Sequence, residues 1–257
     1  MDSIERRDQR TLAIQRQISF LFFPIVAITG IFWARVVKHL SFRDPQRIRT
    51  RFAALLGEER GPVLVCANHL TLLDTIIIVL ALAPMHRYLR QYSLFPWSVP
   101  EKANFSRTWF WRVASFLGKC VYVTRGGDRK EVNRTLGKIA YLLRSGELVS
   151  IFPEGGRSRT SRVDTENFAY GVGQIIQAVP DTRVLCVYLR GRNQEGYSDF
   201  PQTGDEYFVD LEMFRPQTDS VGLRGARDLA TQIIQKLAEM ECRYFADRKR
   251  PDRHPDA

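Results

Sequence analysis

A chain of 257 residues, 44% hydrophobic and 26% charged, is long enough for one α/β domain with a substantial core, and no internal stretch has the composition of an interdomain linker. The formal charge of +10 calls for an anionic partner, whether nucleic acid, an acidic membrane surface, a phosphate-bearing substrate or an acidic carrier protein, and the lack of an RNA-binding signature, zinc spacing or basic recognition helix sets nucleic acid aside. Cys66, Cys120, Cys186 and Cys242 are more than fifty residues apart, which excludes a paired metal-ligand spacing and suits reduced core thiols in a cytosolic compartment.

Near the N-terminus, residues 18–34 are uncharged, rich in Phe, Leu and Ile, and flanked by Arg6, Arg7, Arg10, Arg16, Arg35 and Lys38. As a helix the run reaches about 25 Å, against a hydrocarbon core of about 30 Å. With Pro24 and Gly30 inside it, it reads as a bent or re-entrant anchor, a short tilted span, a helix in the membrane interface, or a buried helix. No small-x-small cleavage site follows, which argues against a cleaved signal peptide, and basic residues on both sides leave the orientation open. Residues 1–45 are therefore assigned to a membrane-anchoring segment, 46–245 to the main domain, and 246–257 to a charged, disordered tail.

Residues 63–67 are short, apolar and β-branched, as in a buried strand, and end at Asn68 and His69. A helix is expected over 72–82, stopped by Pro84. Residues 88–105 carry Pro96 and Pro100 and should be irregular, 107–118 resume a helical pattern, and 121–124 should form a strand. After Gly126 and Gly127, the spacing of Val132, Leu136, Ile139, Leu142 and Leu143 predicts a helix with Gly146 at its C-cap. Strands at 148–152 and 184–189, with a helix at 170–178 between them, continue the alternation. The pattern implies an α/β fold whose mixed, mainly parallel sheet is covered by helices. Tyr207, Val209, Leu211 and Met213 alternate with Phe208, Asp210 and Glu212, as in an edge strand with one wet face, and 224–245 form an amphipathic helix with Leu229, Ile233, Leu237, Met240 and Tyr244 inward. No internal repeat is present.

Three strand ends carry candidate chemistry, and α/β sheets gather their ligands at such ends. At the first, Asn68-His69-Leu70-Thr71-Leu72-Leu73-Asp74 lets the Asp74 carboxylate fold back onto the His69 ring. A carboxylate on one ring nitrogen fixes the tautomer and stabilises the imidazolium, so that the other nitrogen can act as a general base. The alternative is a capping Asn or Thr beside an unrelated histidine. At the second, Phe152-Pro153-Glu154-Gly155-Gly156-Arg157-Ser158 offers close backbone approach, a guanidinium fork and a hydroxyl-binding carboxylate, or simply a polar turn. At the third, Arg125 follows an apolar run and precedes two glycines; its bland alternative is a solvated surface arginine.

Together these segments resemble the glycerolipid acyltransferase family, which includes lysophosphatidate acyltransferases. The match covers residues 63–189, with a His-x-x-x-x-Asp box at His69 and Asp74, an arginine after a strand at Arg125, and a Phe-Pro-Glu-Gly-x-Arg-Ser box ending at Ser158. The resemblance implies a domain seated on one anionic membrane leaflet, with its active site on the cytoplasmic side. It also implies an acyl thioester of coenzyme A or acyl carrier protein as co-substrate, a lysophospholipid acceptor, and no cofactor or metal. In it, His69 and Asp74 are catalytic, while Arg125, Glu154, Gly155, Arg157 and Ser158 hold the acceptor. Trp97, Trp109 and Trp111, with Arg107 and Arg112, then suit either a membrane-facing rim or the core.

The family's basic residue and glycine after the second box are replaced by Phe168-Ala169-Tyr170-Gly171, and its Pro-Val pair by residues of the run 184–188. These departures loosen the tie to lysophosphatidate and leave another lysophospholipid, an amino-lipid or a secondary-metabolite hydroxyl open. Residues 191–205, long and polar, are a candidate for shaping acceptor choice. A non-catalytic lipid-binding homologue should show damage to the boxes, which are intact, and a serine hydrolase should show a Gly-x-Ser-x-Gly elbow, which is lacking.

Overall fold

Apolar, β-branched runs satisfy their backbone groups most completely as strands paired along both edges. Val63–Ala67 and Arg183–Gly191 are such runs, buried at every position, and they form the centre of the sheet. The computed structural model describes residues 4–105, 108–124 and 126–248. Their order is α1 (Arg6–Phe32, continued by a π-helical turn, Trp33–Val37), β1 (Ser41–Phe42), α2 (Pro45–Gly57), β2 (Val63–Ala67), α3 (Asp74–Leu82), α4 (Met85–Arg90) and β3 (Trp97–Ser98). There follow α5 (Lys102–Phe105), α6 (Trp109–Leu117), α7 (Arg129–Arg144), β4 (Val149–Ile151), α8 (Gly171–Ala178), β5 (Arg183–Gly191), β6 (Glu206–Phe214) and α9 (Gly222–Arg248).

The sheet runs β1-β6-β5-β2-β4-β3, and every neighbouring pair is parallel except β5 with β6. It is thus mixed, mainly parallel and covered by helices, as the alternation of elements implied. The period of two divides each central strand between two cores. Leu64, Cys66, Val184, Cys186 and Tyr188 meet α7, α8 and α9 through residues such as Ile139, Ile175 and Ile233. Val65, Ala67, Leu185, Val187 and Leu189 meet α2 and α3 through Phe52, Ile77 and Ile78. Each fully buried aliphatic side chain of this kind contributes about 1.5–3 kcal/mol.

Several local expectations are corrected. β6 is not an edge strand, because β1 pairs with its first residues, Ser41 opposite Glu206 and Phe42 opposite Tyr207. Residues 121–124 form no strand; the chain touches its neighbours only at isolated bridges, Ser98 with Cys120 and Glu101 with Val123. The helix expected from residue 72 begins at Asp74, because the preceding residues are tied up in a turn around that side chain. Trp97 is wholly buried, and its indole N–H donates to Glu147 Oε2 at 2.8 Å, so it belongs to the core and not to a rim. Trp109 is exposed and Trp111 half-buried; Arg107 lies outside the described residues. α9 continues to Arg248, and residues 249–257 also lie outside them.

α1 buries polar residues alongside Leu12 and Phe23 and is apolar on its exposed side. Asp8, Leu12, Gln15, Ser19 and Phe23 are buried, at helical spacing. Asp8 accepts from Arg134 at 2.6 and 2.8 Å, and Gln15 donates to the carbonyls of Phe116 and Cys120 at 3.1 and 3.2 Å. Ser19 shares a hydrogen bond of 2.6 Å with the Tyr92 hydroxyl. Leu21, Ile25, Ile28 and Phe32 face outward, and so do Trp109 and Phe110 of the neighbouring α6.

One buried charge node joins α1 to the domain. Lys119 is fully buried and donates to Glu147 Oε2 at 2.6 Å and to the Phe95 carbonyl at 2.7 Å, with its ammonium 4.7 Å from the Tyr92 ring centre. Burial pulls its pKa down to about 8 despite the nearby carboxylate. Glu147 also accepts from Arg16 of α1 at 2.7 Å and from Trp97. Removing the carboxylate strands a buried cation, so Glu147→Ala is expected to cost about 3–5 kcal/mol, read from the urea midpoint of the detergent-solubilised protein.

Candidate active site

β2 ends at Ala67, and the next side chain takes over the work of the sheet. Asn68 donates to the Leu189 carbonyl at 3.0 Å and accepts from the Leu189 N–H at 2.8 Å, which extends the β2–β5 pairing by a side chain and fixes the peptide that leads to His69. The chain then turns through residues 70–73 into α3, whose first residue is Asp74.

The Asp74 carboxylate is completely buried and organises this turn. Oδ2 accepts from the N–H groups of Leu70 and Thr71 at 2.7 and 2.8 Å, and Oδ1 accepts from the Thr71 hydroxyl at 2.6 Å. His69 Nδ1 lies 3.0 Å from Oδ2. The carboxylate holds the imidazole proton on Nδ1 and leaves Nε2 as the basic nitrogen. The ring stacks on Phe152, with centres 4.0 Å apart and planes 12° off parallel, so its plane is set by an aromatic face as well as by the carboxylate.

The second box leaves β4, the parallel neighbour of β2, at the same end of the sheet. Gly155 turns the chain with φ of 71°, and a Cβ there would meet Ala169 Cβ at 3.3 Å. Glu154 Oε1 accepts from the His69 N–H at 2.9 Å, and the Ser158 N–H donates to the His69 carbonyl at 3.0 Å. The two residues therefore brace one peptide segment from both sides. Glu154 Oε2 accepts from Asp164 N–H at 3.3 Å, and the Ser158 hydroxyl exchanges hydrogen bonds with the backbone of Arg162. Burial pushes the Glu154 carboxyl up to about 7, against the opposing pull of its two backbone donors.

Arg157 reaches sideways from this box. Its Nη1 donates to the Ser198 carbonyl at 2.9 Å and to the Asp199 carboxylate, and its guanidinium lies 5.6 Å from the Tyr197 ring centre. Residues 192–205 form a strap over the histidine turn: the Ser198 N–H donates to the Leu70 carbonyl at 3.0 Å, and Thr71 bridges to Ser198. The strap is pinned at its base, where Gly191 comes so close to Asp205 that a Cβ would lie 1.9 Å from the carboxylate.

The structure thus brings together His69, Asp74, Glu154, Gly155 and Ser158, and sets Arg157 at their edge; Arg125 lies outside the described residues. Sequence reasoning passed over Asn68 as a clamp, Phe152 as the stacking partner of His69, and Asp199 as the partner of Arg157. The first two adjoin the boxes and were within reach of a strand-end argument. Asp199, 42 residues from Arg157, gave no local signal. Among the described residues, no group of three His, Cys, Asp or Glu side chains is placed to hold a metal ion. A cleft of about 950 Å³ between α1, α6 and α7, lined by Leu12, Trp109, Phe116, Val121, Lys102 and Arg134 among others, contains none of the boxed residues.

A histidine held by a buried carboxylate at a strand end, with its second nitrogen unclaimed by that carboxylate, is suited to exchanging a proton with a substrate hydroxyl. Residues 39–190, more than half of the chain and including both boxes, match the family described as Acyltransferase, and the chain belongs to this acyltransferase family. No curated protein matches the sequence. Among solved structures it is similar to the crystal structure of the 1-acyl-sn-glycerophosphate (LPA) acyltransferase PlsC from Thermotoga maritima, at 16% identity over 91% of this chain and 98% of that one, with a TM-score of 0.43.

The Glu154 shift sets a pH dependence of stability. Its folded pKa of about 7 exceeds the ordinary 4.5, so the folded state holds the proton more tightly than the unfolded one. The resulting stabilisation is complete below pH 4.5 and is lost as pH rises through about 7. Glu154→Gln should flatten the fall in thermal midpoint across this window relative to wild type.

Proposed function

We propose that this acyltransferase moves a fatty acyl group from a thioester of coenzyme A or acyl carrier protein to the hydroxyl of a lysophospholipid, the 1-acylglycerol-3-phosphate type being the parent case. The observation that carries the reading is the His69 to Asp74 hydrogen bond of 3.0 Å at the end of β2, in a chain of the acyltransferase family.

In this mechanism His69 Nε2 takes the proton from the acceptor hydroxyl, and the oxygen attacks the thioester carbonyl directly. Asp74 stabilises the imidazolium. The tetrahedral intermediate collapses, the C–S bond breaks, and the departing thiolate recovers a proton from His69, so that no acyl-enzyme forms. The second box holds the acceptor's polar head beside Nε2, with Gly155 allowing close approach and Arg157, together with Arg125, supplying positive charge. Glu154 and Ser158 act from behind by fixing the His69 peptide. No metal or other cofactor enters this scheme.

The domain sits on one leaflet of an anionic membrane, with the site on the cytoplasmic side where thioester donors are made. Support comes from the exposed apolar side of α1, which with its π-helical turn is long and apolar enough to cross a membrane. Asp8 and Arg16 are ion-paired with Arg134, Lys138 and Glu147 of the domain, and Ser19 and Phe23 are buried against Tyr92 and Phe95, so residues 8–23 stay seated on the domain and outside the hydrocarbon. The rest of the helix, as far as Val37, spans only about 20 Å, short of a bilayer core. The balance favours a helix lying in the interface, with Trp109 and Phe110 beside it.

His69→Ala should lower kcat at least about 10³-fold while the fold is kept, because general-base catalysis contributes roughly 10²–10⁴ and the substitution also removes the stabilised imidazolium. Thioester consumption with a labelled acyl donor and a panel of lysolipids measures it, and retained transfer would exclude the mechanism. A Leu21, Ile25, Ile28 and Phe32 to Ser variant alters only the outward side of α1, and should move the protein from the membrane to the soluble fraction on sedimentation with its unfolding midpoint near wild type.

A further inference from the structure

The acceptor subsite carries an internal anion. Arg157, at the edge of that site, offers a guanidinium, and its neighbour Ser158 is hydrogen bonded through its N–H to the His69 carbonyl. Yet its Nη1 is engaged by the Asp199 carboxylate, and the strap that carries Asp199 is fastened to the histidine turn through Ser198. A headgroup that engages Arg157 has to share it with this carboxylate.

We propose that Asp199 competes with the acceptor's headgroup for Arg157, and so turns selectivity away from phosphate monoesters, which carry nearly two negative charges, toward lysolipids whose phosphate is a diester with a single charge. The inference rests on the acyltransferase reading given above and narrows its acceptor. Asp199 has two effects of the same sign. It must be displaced, and once displaced it remains within a few ångströms as a like charge, which disfavours a dianion more than a monoanion. The exposures decide how strong the competitor is. The Arg157 side chain is 27% exposed and that of Asp199 67%, so solvent screens the pair and it opens readily; it biases the choice of acceptor without closing the site. Tyr197 and Phe200, exposed on the same strap, offer apolar contact that does not depend on headgroup charge.

The test compares acceptors within one enzyme. Wild-type full-length protein, Asp199→Asn and Asp199→Ser, in mixed micelles with a labelled acyl thioester, are each given 1-acylglycerol-3-phosphate, a phosphocholine lysolipid and a monoacylglycerol. In both variants the ratio of kcat/KM for the phosphate monoester over the phosphocholine acceptor should rise by up to about fivefold, through KM, as expected for an exposed ion pair. A ratio equal to wild type, or a parallel change for all three acceptors, would mean that the pair merely fastens the strap, and overturns the proposal. Transfer by wild type to none of the three fails the lysophospholipid-acceptor reading given above and takes the proposal with it; that outcome is recognised without any variant.

Discussion

Parallel pairing between β2 and β4 is the constraint on which the site depends. Cys66 lies opposite Ile151, and a short distance beyond that pair both strands leave the sheet at the same end. Residues 85 positions apart in the chain are thereby set side by side, and the His69 N–H finds the Glu154 carboxylate at 2.9 Å. The side-chain period of a strand is two, so a slip of one residue would turn Leu64 and Cys66 into the wrong core and carry Glu154 away from His69. The two cores that sandwich the sheet enforce the register, and the register builds the site. Packing in this chain is therefore a condition of its chemistry.

Within that frame, the histidine turn spends hydrogen bonds to hold still. A buried carboxylate such as that of Asp74 is tolerable only when its oxygens are well supplied with donors, and here the backbone of Leu70 and Thr71, the Thr71 hydroxyl and the His69 ring supply them. The same bonds shape the turn, because each donor is drawn toward one point. Asn68 behind, Phe152 below and Glu154 with Ser158 alongside leave the ring little freedom, and a reacting group positioned in advance need not lose that freedom during the reaction.

The legible parts of this fold were those written in local patterns. β2, β5 and the helix containing Ile139 announce themselves by β-branched content or by 3.6-residue spacing, and the contact between Asp74 and His69 follows from a spacing of five residues across a strand-to-helix turn. α2 has local start signals in Asp44 at its N-cap and Pro45 at its first turn, but its few apolar positions stand out weakly beside the long hydrophobic run that precedes it. Trp97 was ambiguous because nothing near it in sequence reveals that Glu147, fifty residues on, supplies a buried acceptor for its indole. The same holds for Lys119, whose burial depends on that carboxylate, and for Arg157, whose partner comes from a distant strap. Long-range electrostatic partners have no periodicity, so a single sequence does not encode them in a form that pattern reading can recover.

The N-terminal helix connects the domain to the proposed membrane surface. In an ordinary amphipathic helix, apolar residues face the domain and polar residues face water; α1 reverses this, presenting Asp8, Gln15, Arg16 and Ser19 to the domain and Leu21, Ile25 and Ile28 outward. Such a face is costly in water and favourable against acyl chains, which is what supports the proposed lipid neighbour on the outward side. The inward side must then supply what apolar packing usually does, a unique seat. Discrete hydrogen bonds do this well, because Asp8, Gln15 and Arg16 each have one geometrically satisfied position, whereas an aliphatic stripe tolerates sliding by a turn. Through Glu147, the Arg16 contact continues to Lys119 and Trp97, and Trp97 lies in β3, hydrogen bonded to the same strand β4 that delivers Glu154. The orientation of this outwardly apolar helix is in this way tied, through a buried charge node and one strand, to the end of the sheet where the histidine stands.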